Sequence, residues 1–255
     1  AIEVCDWSSD VCSSDLAIPP VTRNLIIINV LIWLLEFIPG FRAMLMQRLA
    51  LHFWGAADFN PAQIITYAFI HEPKTIIHVG FNMFTLWMFG RLMEQVWGSR
   101  RFFIFYFVCA IGAALVQELV WQFSWMHELA AVNGLSVDQL NNALAMQEIS
   151  DPAAVHNLLA ASKNGLLCVG ASGAIFGILL GFAFVFPNMP LYLFFIPVPI
   201  KAKYMVIGYA VLEFFLGVSG GGTVAHFAHL GGMLFALPLI FYWKHNGTLR
   251  GGRFW

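Results

Sequence analysis

Gly170-Ala171-Ser172-Gly173-Ala174-Ile175-Phe176-Gly177 is the most informative segment of this 255-residue chain. It lies near the start of an apolar run over 166–186, which is long enough to cross a bilayer as a helix. Glycines at 173, 177 and 181 are four residues apart, so they line one helix face and allow a second helix to approach closely. A serine on such a helix is usually a packing residue that bonds to its own backbone, so a functional site requires support from other segments.

The composition indicates a membrane protein. Hydrophobic residues make up 60% of the chain and charged residues 11%, and the mean hydropathy is +0.75. Soluble domains carry about 25% charged residues. The net charge of -1 carries no information about nucleic acid, and because no basic tract suggests such a partner, we predict none. Cysteines at 5, 12, 109 and 168 are too scattered for a disulfide framework or a metal knuckle. We therefore predict an all-α polytopic membrane protein.

Six apolar runs predict six transmembrane helices within one membrane domain over 17–255. The predicted spans are 24–38, 75–93, 102–121, 166–186, 203–216 and 224–243. Between spans one and two, 41–54 has helical apolar spacing and ends at Trp54, which predicts a helix lying in the membrane interface. The polar stretch 122–165 is predicted to be an extramembrane loop with short helical pieces.

Residues 1–16 are excluded from the fold prediction. The segment Asp6–Leu16 matches the translation of a widely used sequencing adapter, so we expect residues 1–16 to be non-native, and the alternative is a genuine polar tail.

Basic residues set the predicted orientation. With a cytoplasmic N-terminus the inner segments hold Arg23, Arg91, Arg100, Arg101, Lys201, Lys203, Lys244, Arg250 and Arg253, and the outer loops hold Arg42, Arg48, Lys74 and Lys163. Because cytoplasmic loops carry the excess of Lys and Arg, we expect both termini in the cytoplasm. The expected location is the cell (inner) membrane.

Polar residues converge at one depth on three of the spans. Spans two, four and six all enter from the outer face in this orientation, and their first turns hold His78, Asn82, Ser172, His226 and His229. Polar groups inside a bilayer are costly and usually mark a functional site. Three helices that supply such groups at one depth are hard to explain by packing alone.

These residue types favour acyl-transfer chemistry. A serine hydroxyl needs a base to take its proton, and His229 is the best-placed base for Ser172. His78, the Asn82 amide and the backbone N–H of Ser172 are predicted to stabilise the oxyanion. Because spans two, four and six carry no Asp or Glu at this depth, we predict a Ser–His dyad rather than a triad. Phe176, one turn below the serine, is predicted to stack on the His229 ring.

The combined motifs resemble the rhomboid family of intramembrane serine proteases over about residues 24–243. The family's G-x-S-G matches Gly170–Gly173, its A-H-x-x-G matches Ala228–Gly232, and its H-x-x-x-N matches His78–Asn82. Its Gly-x-x-x-Glu-x-x-x-Gly segment matches 90–98. An earlier histidine that is frequent in the family would fall at position 73, which is proline here, and His71 is the candidate for that role across a short insertion.

The resemblance implies a six-helix rhomboid-like bundle that cuts transmembrane segments of other membrane proteins. It implies no cofactor, and it implies that a substrate helix enters from the side, past span five. The alternative from the same resemblance is a catalytically inactive relative that binds membrane clients.

Two further alternatives concern the histidines. A transporter or proton path would need paired acids in the spans, whereas Glu36, Glu118 and Glu213 are predicted to lie near helix ends, where their side chains reach the interface. A zinc site could use the pair His226 and His229 at helical spacing, but no H-E-x-x-H motif accompanies them. We therefore predict no metal, with His226 as a supporting donor one turn above His229.

Overall fold

Helices form at all six predicted spans in the computed structural model, which describes residues 18–72, 76–192, 198–219 and 225–247. The helices are α1 (Pro20–Leu35), α2 (Phe41–Leu49), α3 (Gln63–Thr66), α4 (Ile76–Thr85), α5 (Arg91–Trp97), α6 (Ser99–Val132), α7 (Val137–Ser150), α8 (Pro152–Asn164), α9 (Ser172–Val185), α10 (Ala202–Val218) and α11 (His226–His245). A 3-10 turn spans Tyr67–Phe69 and a π-helical turn spans Leu86–Gly90. The proposed adapter segment 1–16 lies outside the described residues.

Two helices among the described residues are long and apolar enough to cross a membrane by length and composition, Ser99–Ala131 and His226–His245. Pro20–Leu35 and Ser172–Val185 are apolar but shorter. Span two continues through the π-helical turn into α5 and ends at Gly98, whose φ of 78° stops the helix.

The predicted start of span four is wrong. Helix α9 begins at Ser172 rather than at 166, and Leu167–Cys168 is a short strand, β2, paired antiparallel with β1 at Leu51–His52. Gly170 has a φ of 117°, a conformation that other residues rarely adopt, and it breaks the chain between strand and helix. The consequence is that Ser172 occupies the first position of its helix.

The predicted loop 122–165 is largely helical. Helix α6 runs past the predicted end at 121 because the chain has no glycine or proline between residue 121 and Gly134, which has a φ of 68°. Helix α7 begins with a capping box in which Ser136 and Gln139 bond each other's backbone N–H groups, and Asp151 caps α8. A second antiparallel pair, β3 (Pro190–Leu191) with β4 (Ile200–Lys201), precedes α10.

The predicted helix over 41–54 is confirmed only for Phe41–Leu49, and its position in the membrane interface stays a prediction. Leu51–His52 joins the β1–β2 pair instead, and Trp54 is hydrogen-bonded to the C-terminal half of α6. The Trp54 backbone N–H donates to Glu118 at 2.7 Å, and its indole N–H donates to Gln122 at 2.7 Å.

Glycines set the spacing of the central helices. A Cβ at Gly232 of α11 would overlap the backbone of Gly173 on α9, and a Cβ at Gly177 would overlap the Cys109 side chain of α6. The predicted glycine face does not pack on a single helix, because a Cβ at Gly181 would meet Trp97 of α5 at 2.6 Å. The close approach of α9 and α11 brings the first turns of both helices together.

Glu94 ties the start of α1 to the α5–α6 corner. Its buried carboxylate accepts hydrogen bonds from the Val21 N–H at 3.0 Å, the Thr22 N–H at 2.7 Å, the Thr22 hydroxyl at 2.8 Å and the Ser99 hydroxyl at 2.7 Å. Four donors offset the cost of burying a carboxylate, so this acid has a structural role.

Candidate active site

The structure brings Ser172 and His229 into direct contact. His229 Nε2 lies 2.8 Å from Ser172 Oγ, and the two residues are 57 positions apart in the chain. Ser172 is the first residue of α9 and His229 lies in the first turn of α11, so the contact follows from the glycine-mediated approach of these helices. At 2.8 Å the imidazole nitrogen is within reach of the hydroxyl proton.

Phe176 holds the histidine ring from one side. Its ring centroid lies 4.3 Å from that of His229, with an interplanar angle of 4°, so the stacking predicted from the sequence is present. The ring of Tyr209 on α10 lies next to the Phe176 ring, with the two centroids 6.3 Å apart. Stacking of this kind restricts tilting of the imidazole and leaves its two nitrogens at the ring edge.

The turn before Ser172 is fixed next to His78. A Cβ at Gly170 would lie 3.0 Å from His78 Nε2 and 3.7 Å from Ser172 Oγ, so this histidine borders the serine across the glycine backbone. The Gly170 N–H donates to the Tyr67 carbonyl at 3.0 Å. The buried Tyr67 hydroxyl donates in turn to the Ala110 carbonyl at 2.7 Å. Gly170 is therefore required both for its φ and for the closeness of His78.

Asn82 is oriented by His71. The Asn82 amide nitrogen lies 3.1 Å from His71 Nε2, and the His71 backbone N–H donates to Glu36 at 3.1 Å. Burial, with a smaller effect of nearby His78, lowers the pKa of His71 to about 3, so this loop histidine is neutral. Its Nε2 can then accept one amide proton of Asn82, and the second amide proton stays available. His71 also contacts His78, with ring centroids 5.2 Å apart.

The structure adds Glu213, which the sequence analysis placed at the interface. Its Oε2 lies 3.0 Å from His229 Nδ1 and 2.7 Å from His226 Nδ1. The dyad prediction considered only spans two, four and six, whose N-terminal turns share one depth. Spans one, three and five run in the opposite direction and end at that depth, so Glu213 near the end of α10 reaches the depth of Ser172.

The prediction that Glu36 and Glu118 reach the membrane interface is also wrong. Both carboxylates are buried, and they accept backbone N–H groups from His71 and Trp54 of the loop between spans one and two. The sequence signal for these contacts was an acid near the end of an apolar helix, because a carboxylate there needs hydrogen-bond donors from neighbouring segments.

The group of Glu213, His226 and His229 also has the residue types of a metal site. One ligand atom from each lies within 4.8 Å of the others. Ligand atoms around a tetrahedral zinc ion are about 3.3 Å apart, since each lies about 2.0–2.1 Å from the metal. The carboxylate–imidazole separations of 2.7 and 3.0 Å are shorter than this and fit hydrogen-bond and charge contacts.

The fold and this site define a helical membrane protein with a serine–histidine pair at the N-terminal ends of two central helices, α9 and α11. A comparison with protein families agrees: the rhomboid domain matches residues 58–137 and 144–245. Because these two stretches cover more than half of the chain, it belongs to the rhomboid family. The six helical segments therefore form a polytopic all-helical membrane bundle.

A curated relative gives the same assignment. Rhomboid protein 1, mitochondrial, of Saccharomyces cerevisiae is 28% identical to this chain over 188 residues. The aligned region is 71% of this chain and 40% of the relative, so the chain spans less than half of the length of that protein.

Proposed function

We propose that this protein is an intramembrane serine endopeptidase that hydrolyses peptide bonds in or near transmembrane segments of other membrane proteins. The single observation that carries the proposal is the 2.8 Å contact between Ser172 Oγ and His229 Nε2. Membership of the rhomboid family supports the same chemistry. Helices that hold a nucleophile and a base at hydrogen-bond distance have the arrangement that covalent acyl transfer needs.

In the first step Ser172 Oγ attacks the carbonyl carbon of the scissile peptide while its proton passes to His229 Nε2. The carbonyl π electrons move to oxygen and form a tetrahedral oxyanion. Because Ser172 is the first residue of α9, its N–H and the positive end of the helix dipole can stabilise this charge, and Asn82 and His78 add side-chain donors.

In the second step the tetrahedral intermediate collapses, the C–N bond breaks and His229 gives its proton to the leaving amine. A water molecule then attacks the acyl-enzyme and loses a proton to His229, and the acid product leaves as the Ser172 hydroxyl is restored. No metal or organic cofactor takes part in this proposal. Gly173 serves the mechanism indirectly, because it lets α9 and α11 approach closely.

The substrate class follows from the depth of the site. Ser172 lies at the beginning of α9, so we expect the cut near the extracytoplasmic end of a substrate helix that reaches the site through the bilayer. The excess of basic residues on the other side supports cytoplasmic termini, and we propose the cell (inner) membrane as the location.

Labelling with a serine-directed fluorophosphonate tests this function. We expect the membrane-embedded full chain to be labelled at Ser172, as located by mass spectrometry, because His229 activates this hydroxyl. Ser172→Ala should remove the label, and Ser162→Ala, at a half-buried serine on α8 outside the site, should not. An inactive client-binding relative would show no labelling of the parent protein, and that result would reject the protease.

Asn82→Ala tests the oxyanion side of the site. We expect kcat for cleavage of a helix-destabilised transmembrane substrate to fall by about 10²–10³-fold, the usual effect of losing one oxyanion donor. The loss should be smaller than that of Ser172→Ala, because the Ser172 N–H and His78 remain. Asn29→Ala is the matched control, since its buried amide bonds the Leu25 carbonyl within α1. Equal effects of the two substitutions would assign Asn82 to packing.

A further inference from the structure

We propose that Glu213 is a positioning residue for His229, so that the site operates as a Ser172–His229–Glu213 triad with its acid on α10. This inference rests on the proposed function and adds a residue to it. Glu213 Oε2 lies 3.0 Å from His229 Nδ1, on the side of the ring opposite to the serine contact.

The tautomer of His229 makes this contact significant. The Nε2 atom must be unprotonated to accept the serine proton, so the neutral ring carries its proton on Nδ1. In the structure that buried Nδ1 makes no hydrogen bond, although Glu213 Oε2 is 3.0 Å away. The distance is short enough for a hydrogen bond, so the direction of the Nδ1–H bond relative to Glu213 Oε2 is what prevents one. An in-plane adjustment of the ring between its stacking partner and the carboxylate would complete the bond.

The charge of Glu213 matters when the serine attacks. His229 then becomes an imidazolium ion, and both side chains are shielded from solvent, with 10% of the histidine and 12% of the glutamate side chain exposed. A carboxylate at this distance stabilises the cation more strongly than it would in water. The effect belongs to the transition state, so it should act on kcat rather than on substrate binding.

His226 holds the acid in place. Its Nδ1 lies 2.7 Å from the same Oε2, and it precedes His229 by one turn on α11. The two histidines thus contact one carboxylate oxygen from adjacent turns of one helix. This contact gives the supporting role predicted for His226 a definite target, which is Glu213 rather than the serine.

The inward direction of Glu213 is consistent with the rest of α10. Exposed apolar side chains cover much of this helix, including Ile207, Val211, Phe214 and Phe215. A carboxylate among them is stable only if it turns towards donors inside the bundle. The orientation of the base therefore depends on the docking of α10 against α11, because movement of α10 would separate the acid from His229.

Steady-state kinetics of the full chain in proteoliposomes tests the proposal. Glu213→Gln removes the charge, and we expect kcat for a transmembrane substrate to fall on the order of 10²-fold with little change in KM. Glu213→Asp keeps the carboxylate and should retain more activity than Glu213→Gln. Leu212→Ala is the matched control, because this exposed neighbour on α10 lies outside the site. It should leave kcat unchanged.

A double-variant comparison separates positioning from a merely structural role. In a His229→Ala background, Glu213→Gln should cause no further loss of residual cleavage, because the acid acts through the histidine. Unchanged kcat in Glu213→Gln would overturn the proposal, as would an equal loss in the Asp variant accompanied by a lower unfolding midpoint. Fluorophosphonate labelling distinguishes failure of the triad proposal from failure of the proposed protease function. If the parent and Glu213→Gln label Ser172 at equal rates, the triad fails and the protease stands, whereas an unlabelled parent rejects both.

Discussion

Ser172→Ala and His229→Ala should each abolish cleavage of a helix-destabilised transmembrane substrate, and the double variant should be no worse than either one. The 2.8 Å contact makes the two side chains one unit, in which the nucleophile is inert without its base. Residues that act as a unit are not additive, and we expect each single change to lower kcat by more than about 10⁴-fold. Cleavage is measured by gel analysis of products from proteoliposomes.

Ser162→Ala and His127→Ala serve as controls, because the half-buried Ser162 and the exposed His127 both lie outside the site. All four variants should keep the parent's unfolding midpoint, since none removes a large apolar side chain. Product termini should map to the extracytoplasmic end of the substrate helix. Cleavage that survives Ser172→Ala, or product termini on the cytoplasmic side, would contradict the proposed mechanism.

Gly232→Ala is expected to be the most damaging single-methyl change in the bundle. The added Cβ would overlap the Gly173 carbonyl, which is backbone and has no rotamer that could move it aside. Forcing α9 and α11 apart costs on the order of 1–3 kcal/mol or more, and Gly173 directly follows the nucleophile. We therefore expect a lower unfolding midpoint in detergent and a loss of most cleavage activity.

Gly208→Ala is the control for this change. It places the same methyl group on a helix, α10, where nothing lies within 4 Å of the new atom. Alanine favours helix over glycine by roughly 0.5–1 kcal/mol, so the control should be neutral or slightly stabilising. If Gly232→Ala were as stable and active as the control, the close approach of α9 and α11 would not hold.

The proposed nucleophile Ser172, the proposed base His229 and the stacking ring of Phe176 could be predicted from the sequence alone. Apolar runs long enough for membrane helices are local features, and so are the four-residue spacings that place Ser172 and Phe176 on one side of α9. The choice of His229 also needed only the expected order and direction of the spans. These predictions depend on distances along the chain, which the helical repeat converts directly into positions in space.

Helix boundaries depended on contacts that the sequence does not display. The apolar run over 166–186 contains no local signal that 167–168 pairs with 51–52, more than a hundred residues away. That pairing, with the φ of Gly170, moves the start of α9 to Ser172 and so places its backbone N–H among those without an acceptor inside the helix. A composition window responds to hydrophobicity and cannot distinguish a buried strand from a helix over two residues.

The sequence by itself determined the membrane class, the positions of the six helical segments and the Ser172–His229 pair. Tertiary structure alone decided the partners of the acids: Glu213 beside His229, and Glu36 beside His71. The physical reason is that the rotation of each helix about its axis is set by packing against several neighbours at once. A lone carboxylate on an apolar helix turns towards whichever donors that packing supplies, and those donors come from distant parts of the chain.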